Sequence, residues 1–281
     1  MENIKKNQNK YINPSLVLGT IKQSKGFLII FASIVIGFVF FGLIVYTVLQ
    51  NIKIPNDSMY QGILMLKQMN ILQYYINDGA ANSIIIGLVF TGIVAMAALL
   101  KDENKSTTEF LFAHPISRKK MFFTQMISFA SILFLFSFVI MAISFILIIT
   151  FNVFKFDFDV GQFFVYHLVL FIMNFIYGFF MYGLASIIKG KNYHAPAISI
   201  GIIIYLLSTI FKVLALALQS FVPWLDNFNY LFISNIMDIL SFFAKGYITI
   251  VWQPILIWAL AAIALNVWGY FRYQKKDLNC A

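Results

Sequence analysis

Six stretches, at about 27–49, 82–100, 121–151, 161–188, 196–218 and 249–271, each run for roughly twenty residues or more and carry a single charge between them, Lys212. A bilayer core of about 30 Å takes about 20 apolar residues in helix, and only a helix or a closed barrel satisfies its own backbone in lipid. The runs therefore read as six spanning helices of one all-α membrane domain over residues 27–271. A segment 1–26 precedes it and a tail 272–281 follows. With 61% hydrophobic and 11% charged residues, the chain has too little polar side chain to cover a water-facing surface. The third and fourth runs exceed the bilayer thickness and must tilt or project. The first is too long for a signal-peptide core and has no small-residue cleavage site after it, so it reads as a retained span.

Charge sets the expected orientation. With both termini inside, the inner segments hold Lys5, Lys6, Lys10, Lys22, Lys25, Lys101, Lys105, Arg118, Lys119, Lys120, Lys189, Lys191, Arg272, Lys275 and Lys276, which is 15 of the 20 basic residues. Lys53, Lys67, Lys155, Lys212 and Lys245 fall outside. That bias predicts cytoplasmic N- and C-termini. It also accounts for the net charge of +9 without a nucleic-acid partner, which would need a clustered basic patch with stacking aromatics. Residues 14–22 mix Leu16, Leu18 and Ile21 with Lys22, the pattern of an interfacial helix under the inner leaflet. Met59, Ile63, Leu66 and Met69 predict a short amphipathic helix in the outer segment 50–81. Segment 219–248, with Pro223, Trp224, Asp226, Tyr230, Asp238 and Tyr247, reads as interfacial or re-entrant pieces. Helix is the only regular structure the pattern calls for.

Several chemistries lack their residues. No span carries the mid-membrane carboxylates that proton or ion coupling uses, and Lys212 lies near enough to a helix end to snorkel. His114, His167 and His194 read as separate loop or helix-end residues, with no ligand at i+3 or i+4 to share a metal. Ser128, Ser131 and Ser137 have no His or carboxylate on their helix to activate them, so an embedded hydrolase finds no dyad. No phosphate-binding G-x-x-x-x-G-K-[ST] loop occurs, and the lone Cys280 excludes an internal disulfide and a thiolate cluster. The expectation is a chain that binds no metal or cofactor and is not an enzyme.

Two stripes of small or polar residues remain. Ser83, Gly87, Thr91 and Ala95 follow one another at i+4 in the second span, and Asn174, Gly178, Tyr182 and Ser186 do so in the fourth. Such stripes let helices approach closely or line a path, and both readings stay open. Asn174 is the strongest path candidate, because an amide facing lipid is unfavourable.

The segment from Lys101 to Lys120 is a charged island between the second and third spans. Ser106, Thr107 and Thr108 precede Glu109 as helix-capping residues, with Glu109 in the first turn. Phe110, Leu111 and Phe112 add an apolar surface, Pro115 ends the turn, and Ser117 is placed to cap the third span beside Arg118. A short amphipathic knob of this kind can seat in a cleft of a soluble partner.

The run from Glu103 to Lys120, with Thr-Thr-Glu-Phe-Leu and then His-Pro-Ile-Ser-Arg, resembles the G-T-x-E-x-L-L-x-x-P-x-S-R segment of ABC-2 type transporter permease subunits. That segment lies in the family's first intracellular loop, and Ser106 stands where the family has Gly. The resemblance implies a type V exporter-like domain of six helices with cytoplasmic ends, an interfacial helix before the first, and short external helices between the fifth and sixth. It implies that Glu103, Thr107, Glu109, Phe110, Pro115, Ser117 and Arg118 form the contact with a separate ATP-binding cassette subunit, which holds ATP and Mg. It further implies a second permease subunit, identical or paralogous, since six helices make half a pathway. Uncharged spans suit a hydrophobic or amphipathic cargo, such as a membrane-active peptide, and the Lys-, Asn-, Ile- and Phe-rich composition points to an AT-rich bacterial genome and a plasma membrane. The alternative function is a membrane scaffold or sensor whose island recruits a signalling protein.

Overall fold

The structure, a computed structural model, describes residues 12–53, 61–104, 117–152, 158–188, 193–218, 220–238, 242 and 247–275. Its helices in chain order are α1 (Pro14–Asn51), α2 (Gln61–Gln68), α3 (Ile71–Asn104), α4 (Arg118–Phe151), α5 (Val160–Ile187), α6 (His194–Leu218) and α7 (Trp252–Lys275). All but α2 are long and apolar enough to cross a membrane. Two 3₁₀ helices, Pro223–Leu231 and Ile233–Ile236, and a two-stranded antiparallel ladder, β1 (Met237–Asp238) and β2 (Thr249–Ile250), join α6 to α7.

Several helices outrun the apolar stretches that announce them. Residues 14–22 do not form a separate interfacial helix. They are the first turns of α1, which opens with Pro14 at its first position and runs unbroken for 38 residues. Polar contacts hold this end against the bundle instead of laying it flat: Asn13 N donates to Thr124 Oγ1 at 3.1 Å, and Thr20 Oγ1 donates to Gln125 Oε1 at 3.2 Å. α3 begins at Ile71 because Asn70 and Gln73 form a reciprocal capping box, with Gln73 N to Asn70 Oδ1 at 2.7 Å and Asn70 N to Gln73 Oε1 at 3.0 Å. α5 starts where Asp159 accepts from Gln162 N. α2 carries Ile63 and Leu66 of the expected amphipathic helix, whereas Met59 lies outside the described residues.

α3 and α5 form the centre. Within their apolar windows 72% of α3 and 56% of α5 is buried, against 17% for each of α6 and α7. α5 lies mainly between α3 and α7; α1 packs on α4 and α3, and α6 covers α3. The largest side chains fully inside the core are aromatic, among them Tyr46, Phe90, Phe129, Phe163, Tyr166, Tyr177 and Tyr182. The segment joining α6 to α7 is pinned on both sides, Trp258 Nε1 donating to Leu231 O at 2.8 Å and Phe211 stacking on Phe228 at 5.8 Å.

Candidate functional site

The charged island connects two helices that continue past the apolar core. Glu103 lies in the last turn of α3, while Thr107, Glu109, Phe110 and Pro115 fall outside the described residues. Ser117 is the N-cap of α4, its Oγ accepting from Lys120 N at 3.2 Å. Arg118 Nη1 donates to Gln274 O at 2.9 Å, tying the start of α4 to the end of α7. One turn on, Tyr182 OH donates to Phe122 O at 2.6 Å, and the Phe122 ring packs edge-on against Tyr182 and Tyr270. The first turn of α4 is thus fastened to α5 and α7. On the neighbouring side Lys101 Nζ donates to Gln23 Oε1 at 3.3 Å, fastening the end of α3 to α1. Arg272 and Lys275 occupy the last turn of α7, where the helix dipole favours cations.

The two predicted stripes face each other. A Cβ on Gly87 would lie 2.9 Å from both amide atoms of Asn174, and one on Gly178 would overlap Thr91 Cγ2 and the Phe129 ring. Next to them Gly92 lets Ala197 O and the Tyr177 hydroxyl approach. Thr91 is fully buried and Asn174 nearly so, yet Thr91 Oγ1, Asn174 Oδ1 and Tyr177 OH have no hydrogen-bond partner among the described residues. A buried polar atom left in that state costs about 1–3 kcal/mol. A cavity of about 30 Å³, enough for one water, touches Ser83, Gly87, Ser137, His167 and Asn174. His167 is not at a loop or helix end. It sits in the third turn of α5, buried, with Nε2 3.0 Å from Tyr75 OH. Tyr182 belongs to the α4 contact and Ser186 lies against Gly269 of α7, so the second stripe serves three neighbours.

A second seam, between α5 and α7, has no stripe of its own in the sequence, although Ser186 of the second stripe lies in it. A Cβ on Gly183 would meet Asn266 N and Leu265 C, both at 2.9 Å, and one on Gly269 would meet Gly183 O at 2.9 Å and overlap Ser186 Oγ. Backbone touches backbone here. Asn266 Nδ2 donates across the seam to Phe179 O at 2.7 Å and along its own helix to Ala262 O at 2.8 Å. Only one glycine on α5 and one on α7 make the crossing, so no repeating stripe announces it.

Near the basic helix ends a mainly apolar recess of about 150 Å³ opens between α1, α3, α4 and α6, with Gln23, Ser24, Lys101, Gln125, Tyr193 and His194 on its walls. An amphipathic solute finds both apolar wall and hydrogen-bonding groups in it. A family model described as ABC-2 family transporter protein matches residues 18–278, which takes in all six spanning helices and the island. No curated protein matches the sequence significantly.

Proposed function

This chain belongs to the ABC-2 transporter family and is a permease subunit of an ABC transporter; on that footing we propose that it forms half of an ATP-driven exporter for a hydrophobic or amphipathic cargo, such as a membrane-active peptide. The second half is another permease subunit, identical or paralogous. ATP and Mg sit on a separate ATP-binding cassette subunit in the cytoplasm of a bacterial cell, under the plasma membrane. The basic ends of the helices face that side, in line with the distribution of lysine and arginine.

The observation that carries this reading is the bracing of the island by the helices that flank it. α3 and α4 end in it, Ser117 caps α4, and Arg118 and Lys101 link those ends to α7 and α1. Force applied at residues 101–120 would therefore move α3 and α4 as levers. The part of the α3–α5 seam around Gly87 and Gly178, away from the Tyr75–His167 hydrogen bond, is where such motion has little polar bonding to break, because Thr91 Oγ1, Asn174 Oδ1 and Tyr177 OH are unbonded there. Once exposed to water or cargo, those atoms gain the partners they lack. Ser83, Gly87, Thr91, Asn174 and Gly178 would then line the path, and the recess beside Lys101 and His194 would admit the cargo.

The test is an affinity pull-down of the full chain in mild detergent, with identification of the ATPase that comes with it. Glu109→Lys and Arg118→Ala are expected to lower its recovery and its cargo-stimulated turnover about tenfold each, the effect of losing a charged contact at an interface. Recovery and turnover unchanged in both variants would remove the docking assignment.

A further inference from the structure

Lys212, the one charge within the six apolar runs, stands on the wall of a cavity of about 470 Å³, within the range of small-molecule sites. The cavity lies at the end of the bundle opposite the island, between the last turns of α6, the 3₁₀ segment and the start of α7. Its polar lining comes from Lys212, Asn229, Tyr230, Asn235, Trp252 and Gln253, and no carboxylate is among the described lining residues. Asn235 is held in place by its Nδ2, which donates to Asn229 O at 3.1 Å. Lys212 has no hydrogen-bond or ion-pair partner among the described residues.

Depth narrows the choice of ligand. At 1.5 Å per residue the 25 residues of α6 span roughly 37 Å, a few ångströms beyond a core of about 30 Å at each end. Lys212 is six residues before Leu218. Its backbone therefore lies just inside the hydrocarbon edge and its ammonium reaches the headgroup layer. Exposed Trp224 and Trp252 mark the same level, where indoles settle at membrane interfaces. A cation placed there among groups that can donate hydrogen bonds fits a phosphate.

We propose that this cavity is a phosphate site that holds the headgroup of a phospholipid from the adjoining leaflet, with Lys212 pairing the phosphate and Tyr230 and Gln253 contributing hydrogen bonds. The site does not depend on transport or on which leaflet it faces. Its test needs no ATPase, so its outcome is separate from that of the exporter reading.

The experiment is native mass spectrometry of the delipidated full chain, titrated with phosphatidylglycerol or with diacylglycerol, which lacks the phosphate. Wild type is expected to retain one tight phosphatidylglycerol and no tight diacylglycerol. Lys212→Gln is expected to weaken that retention about tenfold, the usual loss for a charged hydrogen bond, and Lys53→Gln, whose side chain is not on the cavity wall, to leave it unchanged. Lys212→Arg, which keeps the charge, should restore retention and so separate a lost contact from a misfolded chain. Adding inorganic phosphate identifies the source: displacement of the lipid assigns the site to free phosphate, and no displacement assigns it to the headgroup. Equal retention by wild type and Lys212→Gln, or diacylglycerol held as tightly as phosphatidylglycerol, would overturn the proposal.

Discussion

α5 meets its two main neighbours through glycine in both cases, but the two seams are built differently. Against α7, Gly183 and Gly269 bring backbone onto backbone and Asn266 bonds across the joint. Against α3, Gly87 and Gly178 admit side chains, and Thr91 Oγ1, Asn174 Oδ1 and Tyr177 OH beside them are left unbonded. Association in lipid draws on close packing and interhelical hydrogen bonds, since lipid tails are as apolar as the helices. The α5–α7 seam has both at its glycines and leaves Asn266 Oδ1 unbonded; the α3–α5 seam has the Tyr75–His167 hydrogen bond at its end opposite the island, and at Gly87 and Gly178 it has packing and three unbonded polar atoms. The proposed exporter needs one joint that holds and one that opens; the α5–α7 seam suits the first role and the Gly87–Asn174 part of the α3–α5 seam the second.

The two seams differ most sharply at their glycines. Gly183→Ala would drive a methyl into the α7 backbone, which cannot step aside, and is expected to cost about 3 kcal/mol, at the upper end for overpacking. Gly87→Ala meets only the end of the Asn174 side chain and should cost about 1 kcal/mol or less. Thermal unfolding in mild detergent, followed by loss of the monodisperse peak, ranks the two. Equal costs would mean that the seams are alike.

The asparagines come next. Asn266→Leu removes a cross-seam hydrogen bond and should lower stability by about 1 kcal/mol. Asn174→Leu removes an atom with no partner and should leave stability unchanged or slightly raised, while lowering cargo-stimulated ATP turnover. The same unfolding assay, paired with turnover of the co-purified ATPase, decides between them. An Asn174→Leu protein as destabilised as Asn266→Leu would place Asn174 in an ordinary structural role.

The most local effect is expected at the island. Ser117→Ala deletes the α4 cap, worth about 1 kcal/mol, and the loss should be confined to the first turn, which Arg118 and Phe122 still fasten to α7 and α5. Faster hydrogen exchange at residues 118–121 with little change in global unfolding is the expected result.

What the sequence makes legible follows from how each feature is encoded. The six spans are written in hydropathy, which reads composition directly, and the all-α membrane fold follows from them. Helix ends that project into water have no such signal. The start of α3 is nevertheless written in the Asn70–Gln73 box, a local pattern that hydropathy passes over. The Ser83 and Asn174 stripes are visible because they repeat at i+4, but that they face each other is a tertiary fact. The α5–α7 seam has one glycine per helix, too few to form a period. The short β1–β2 ladder and the placing of Lys212 on a cavity wall depend on residues far apart in the chain, and neither has a local signature.

ATP can drive the proposed exporter only if the island faces cytosolic nucleotide. The most direct test is Glu109→Cys in a Cys280→Ser background, probed with a membrane-impermeant maleimide in intact cells and in inverted vesicles. Labelling in inverted vesicles alone, blocked when the ATPase is bound, is the predicted result. Labelling of intact cells from outside would contradict it.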